Sequence, residues 1–130
     1  MKRQAKIIRS SDDDKRQIAI DSNNAIEIRE FLNKNNLNKK FDLMCRTILA
    51  GIRNTELYDK ENINNKCKDV TAMKFKGNLN PRIYCKEVKL RDKTLVIIAS
   101  ELHSSKKNKK NKSKEINLIN KVGSYEYEIN

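Results

Sequence analysis

The feature that most limits what this chain can become is a change in apolar spacing near position 70. Upstream, Phe41, Met44, Cys45, Ile48, Leu49 and Ile52 recur at i, i+3, i+4, i+7, i+8 and i+11, the stripe of one buried helix face. Ala25, Ile28, Phe31 and Leu32 repeat the pattern just before it, and the short Asn/Lys-rich stretch between the two segments reads as the turn of a helical hairpin. Asn38 is placed to cap the second helix and Gly51 to end it. Downstream the period falls to two. In VTAMKFKG, Thr71, Met73 and Phe75 share one face, and Ala72, Lys74 and Lys76 share the other. In RIYCKEVKL, Ile83 and Cys85 oppose Arg82, Tyr84, Lys86 and Val88. TLVIIAS (94–100) is a nearly unbroken apolar run, as expected of a central strand covered on both faces.

The flanks complete the order. RQIAIDS (16–22) reads as a first strand, and Gly77–Pro81 and Arg91–Lys93 as hairpin turns. A last helix is expected after position 112, capped by Ser113, with Ile116, Ile119 and Val122 inward and Gly123 at its stop. The terminal SYEYEIN fits a strand or an extended helix end equally. Residues 1–15 read as a polar lead-in, its mobility left open, and 16–130 as one domain. The expected order is β-α-α-β-β-β-α, in the α+β class.

Charge narrows the partners. With 29 Lys and Arg against 17 Asp and Glu, the formal charge is +12, which suits nucleic acid, an anionic membrane surface or an acidic protein. Segment 106–114 holds six lysines, so half of the excess belongs to the rest of the chain. No apolar run approaches the ~20 residues of a membrane span, and MKRQAKIIRSSDDDKRQ lacks the apolar centre of a signal peptide, so a cytoplasmic protein without a membrane partner is expected. Three cysteines, Cys45, Cys67 and Cys85, show no metal-ligand spacing and read as reduced core thiols; no metal or other cofactor is implied. Asp12, Asp13 and Asp14 read as a solvated turn rather than a cation site.

The stretch KFKG…PRIYCKEVKLRDKTLVIIASELHSSKKNKKNKSKEINLINKV resembles the RelE/ParE superfamily of toxins, most of all its HigB-like branch, which often carries a Lys-rich segment between the last strand and a final helix. The resemblance implies a small antiparallel sheet of three to four strands packed against an N-terminal helical hairpin, with a C-terminal helix. It also implies a metal-independent endoribonuclease of a type II toxin–antitoxin system, acting on mRNA at the ribosome and neutralised by a cognate antitoxin protein. Where family members often place an arginine, this chain has Ser100, Glu101 and His103.

RNA can be cut by its own 2′-hydroxyl if one group takes that proton, another stabilises the charged transition state, and a third protonates the leaving 5′-oxygen. The candidates are Lys74 or Lys76 as base or phosphate anchor, Arg82 as clamp, and His103, or second to it Tyr84, as acid. Tyr125 and Tyr127 are additional candidates. Lys86, Lys106, Lys107, Lys109 and Lys110 are expected to contact the RNA backbone. Beside each stands a plainer reading: the lysines are a strand's solvated face, Tyr84 is a core-edge aromatic, and His103 is structural. Two other functions stay open: a non-catalytic basic nucleic-acid-binding protein of a phage or mobile element, and a ParE-like poison of gyrase.

Overall fold

The computed structural model describes residues 2–61, 63–77, 79–104 and 113–130. Strands β1 (Arg3–Ser10) and β2 (Arg16–Asp21) form an antiparallel hairpin. Its turn is held by Asp13, whose carboxylate accepts from the Ser11 hydroxyl (2.7 Å) and the Lys15 N–H (3.0 Å). The stretch read as a polar lead-in therefore contains a strand of the sheet. Helices α1 (Ala25–Lys34) and α2 (Asn38–Leu49) follow. Asn38 is the first residue of α2 rather than its cap: Leu37 holds the cap position and no side chain caps the helix. Gly51 has the left-handed φ of +73° just beyond the helix, which glycine adopts without a Cβ penalty. Phe41, Met44, Cys45 and Ile48 face inward as the stripe requires, whereas Ile52 lies past the helix end and is exposed.

Strands β3 (Tyr58–Lys60), β4 (Val70–Lys74), β5 (Arg82–Lys89) and β6 (Leu95–His103) come next, with a 3-10 turn at Asn65–Cys67 between β3 and β4. Helix α3 (Ser113–Ser124) and strand β7 (Tyr127–Ile129) complete the order. The seven strands make one curled, mixed sheet in the order β3-β4-β5-β6-β2-β1-β7, in which β2 pairs parallel with β6 and β1 parallel with β7.

This corrects the expected small antiparallel sheet of three to four strands packed on an N-terminal hairpin. The sheet is twice that size because β1, β3 and β7 join its edges. β3 has three residues, too few for an alternating pattern to show, β7 takes the strand alternative of the terminal SYEYEIN, and β1 carries Arg3, Lys6 and Arg9 among its apolar residues. The long apolar run of β6 is central, as expected: it pairs with β5 on one side and β2 on the other.

The main core lies between the sheet and α1/α2, where Ile18, Ile20, Met73, Phe75, Ile83, Cys85, Ile97 and Ala99 meet Ile28, Leu32, Phe41, Met44, Cys45 and Ile48. A second core lies on the other face, where Val70, Ala72 and Tyr84 meet Cys67 and Ile119, Val122 and Tyr125. Helix α3 therefore covers the face that carries the basic row. Gly123, expected to stop α3, instead lies inside it: a Cβ there would come within 2.9 Å of the Lys66 carbonyl, so glycine lets the helix seat on the 3-10 turn.

Candidate functional site

Strand parity does bring the expected residues to one face. In the register, Arg82 stands opposite Lys74 on β4 and opposite His103 on β6, while Tyr84 stands opposite Ala72 and Glu101. A bulge makes this possible. Cys85 pairs with Ala99 and Tyr84 with Glu101, so Ser100 is an extra residue in β6. Ile97 and Ala99 point to the α1/α2 core; simple alternation would send Glu101 and His103 there too. The added residue turns both toward α3.

That face is not solvated, as a strand of alternating lysines suggests. Tyr84 is fully buried and His103 is 7% exposed. Their rings stack at 6.4 Å with 24° between planes. The Tyr84 hydroxyl has no hydrogen-bond partner among the described residues, and burial, reinforced by Glu61, holds its pKa well above that of free tyrosine. It is a core aromatic with a retained proton, placed behind the imidazole.

Each cation of the row is matched by an acid. The Arg82 guanidinium donates to Glu61 Oε1 at 2.7 Å, and His103 Nε2 lies 3.4 Å from Glu115 Oε1 on the first turn of α3. Lys74 Nζ is 4.0 Å from Asp59 and donates to the Thr55 carbonyl at 3.1 Å. Lys76 lies beyond β4, is well exposed, and pairs with Glu56 at 3.4 Å. Lys86 is spent on structure: 3.7 Å from Asp69, it also donates to the Gly123 and Tyr125 carbonyls at 2.9 and 2.5 Å. Carboxylates are thus interleaved with the cations of the row.

Tyr125 and Tyr127 fasten the C-terminal segment rather than enter the Arg82–His103 cluster. The Tyr125 hydroxyl donates to Glu101, which also has Lys121 at 3.9 Å, and its ring lies under the Arg3 guanidinium at 4.1 Å. The Tyr127 hydroxyl lies 2.6 Å from Asp21 Oδ2 and 2.8 Å from Ser100 Oγ; Asp21, fully buried, also accepts from Arg3 Nε at 2.7 Å. Burial first, and the carboxylate partners second, raise the pKa of both phenols, so they stay protonated.

Lys106, Lys107, Lys109 and Lys110 lie outside the described residues. Their segment leaves β6 just after His103 and re-enters the described chain at Ser113, two residues before Glu115.

Sequence reading overlooked Glu61, Glu101, Glu115 and Asp21. The first lies in a connection with no pattern, the second is turned by the bulge, and the third is one polar residue of an amphipathic helix. Together, Arg82, Glu61, His103 and Glu115 offer a guanidinium, an imidazole and two carboxylates on one side of a sheet. That set can take a proton, return one and stabilise an anion without a metal. The three cysteines are buried and free, and burial raises the Cys45 thiol to a pKa of about 11. No helix is long and apolar enough to cross a membrane among the described residues. Comparison with protein-family models, with curated proteins and with solved structures finds no match.

Proposed function

We propose that the protein is a metal-independent endoribonuclease of the toxin kind, cutting mRNA on the ribosome in the cytosol and held in check by an antitoxin protein. The observation that carries this reading is the juxtaposition of the Arg82–Glu61 and His103–Glu115 pairs where the lysine tract joins the sheet. His103 donates a proton to the leaving 5′-oxygen as the 2′-oxygen bonds to phosphorus; Glu61 or Glu115 accepts the 2′-hydroxyl proton; Arg82 stabilises the charge that develops on phosphorus oxygens. Tyr84 braces the imidazole by stacking. Lys74, Lys76 and the tract attract the phosphate backbone, an interaction that weakens steeply with salt.

The test is incubation of the purified protein with translating ribosomes, with cuts mapped by primer extension. Wild type is expected to cut, and His103→Ala and Arg82→Ala to lose cutting at least a hundredfold while melting as folded proteins. A second reading, non-catalytic binding to nucleic acid, is favoured by the acid found beside every cation of the row. Salt-sensitive RNA binding with no cut on ribosomes would select it. DNA damage with intact message would select a gyrase poison instead.

A further inference from the structure

The two edges of the sheet are finished differently. At β3 the backbone N–H groups that point away from the sheet are already in use. The Tyr58 N–H donates to the Asn54 carbonyl at 3.0 Å, and the Lys60 N–H to the Asp59 carboxylate at 2.8 Å. At β7 they are not. The Glu126 carbonyl accepts from Arg3 at 2.8 Å, and Asn130 donates to Ala5 at 2.8 Å and accepts from Ile7 at 3.0 Å. By the alternation of a parallel ladder, the N–H and C=O of Tyr127 and Ile129 therefore point outward, with no partner among the described residues. We infer that β7 is a docking edge for a basic, extended protein segment in which apolar residues alternate with lysine or arginine. No residue of the catalytic proposal belongs to this edge.

The two faces of β7 set the alternation. Tyr127 and Ile129 are half-buried against Ala5, Ala19, Val96 and Ile98, on the sheet face opposite α1 and α2. An added strand would extend this apolar cluster with every second side chain. Glu126 and Glu128 are exposed on the other face. Gln4 donates to Glu128 at 3.1 Å, and neither carboxylate forms an ion pair among the described residues.

Charge then selects the occupant. A second copy joined through β7 would bring the glutamates of both chains to one face of the paired strands, where like charges destabilise. A phosphate backbone or an acidic segment is repelled for the same reason. Lysine or arginine opposite the glutamates is the complementary choice. The edge is also held in place before anything binds. Tyr125 donates to Glu101, and the Tyr127 hydroxyl lies 2.6 Å from Asp21 and 2.8 Å from Ser100. Little ordering cost therefore falls on this side of the complex. Backbone bonds of strand addition supply affinity, and the alternation supplies selectivity.

The experiment follows hydrogen exchange at the Tyr127 and Ile129 amides while the full chain is titrated with decapeptides. One alternates Lys and Val, one alternates Glu and Val, and one holds Lys and Asn with no apolar residue. The Lys/Val peptide is expected to half-protect both amides at a concentration at least tenfold below either of the others. Of two Lys/Val peptides N-methylated along opposite edges, one should lose protection at least tenfold and the other keep it within threefold. Glu126→Lys with Glu128→Lys, both on the surface, should bring the Lys/Val and Glu/Val peptides within twofold of each other. Equal protection by all three peptides, indifference to methylation of either edge, or a preference untouched by the charge reversal overturns the docking edge. Protection that grows with protein concentration alone overturns it in favour of a second copy. Protection by oligouridine overturns it in favour of RNA.

Discussion

Toward α1 and α2 the sheet turns Ile18, Ile20, Met73, Phe75, Ile83 and Ile97, none more than 3% exposed. Toward α3 the same sheet turns Arg82, Tyr84, Glu101 and His103, with Asp21 fully buried at its far side. The first face is non-directional: apolar area leaves water, and any well-shaped neighbour completes it. The second works only if each charge finds its own partner, and those partners come from distant segments, Glu61 from the loop before β4 and Glu115 from α3. Buried ion pairs recover their desolvation cost poorly. The α3 face therefore adds less to stability for each side chain it buries than the α1/α2 face does.

The contrast can be broken by substitution. Ile28→Ala, in the α1/α2 core, should cost about 3–4 kcal/mol in urea unfolding; a loss under about 1 kcal/mol would mean that this core is loosely packed. Alkaline pH probes the same face. Folded Cys45 has its pKa raised from 9 to about 11, so its contribution is fully present below pH 9 and is lost as pH rises toward 11. Stability should fall by about 2–3 kcal/mol across that window from this thiol alone, with the buried Cys85 thiol and the Tyr84, Tyr125 and Tyr127 phenols adding to the decline, and Cys45→Ala should lessen it; an identical decline in the variant would reject the assignment.

On the α3 face, Glu61→Ala should cost about 2 kcal/mol, less than for a fully buried pair because the Arg82 side chain remains 19% exposed. Pairing it with Arg82→Met should restore most of the loss, and a strictly additive double variant would show that the two residues do not interact. The smallest effect is expected from Tyr84→Phe. Its hydroxyl has no partner to lose, so stability should stay within about 0.5 kcal/mol or rise. RNA cutting should stay within twofold. A tenfold drop in cutting would make the phenol a proton donor rather than a brace.

The apolar face was the legible one. The stripe from Phe41 to Ile48 and the run of β6 each repeat often enough to state their own geometry. Parity also placed Arg82, Tyr84 and Lys74 together correctly. What parity could not supply was cover: whether a face is wet depends on α3, which approaches through long-range packing of Ile119 and Val122. Nor could it supply Glu61 and Glu115, because an ion pair leaves no period in a sequence. β3 was hidden by brevity and β1 by its charges, while the alternation of SYEYEIN left β7 as one of two readings.

The extra residue at Ser100 makes the protein unusually sensitive to one kind of genetic change. Most point substitutions in β6 alter one side chain. Deletion of a single codon there would rotate everything downstream by half a turn, sending Glu101 and His103 into hydrocarbon and Leu102 toward the acids. A lineage carrying this strand is therefore held to its length there as firmly as to the identities of Glu101 and His103.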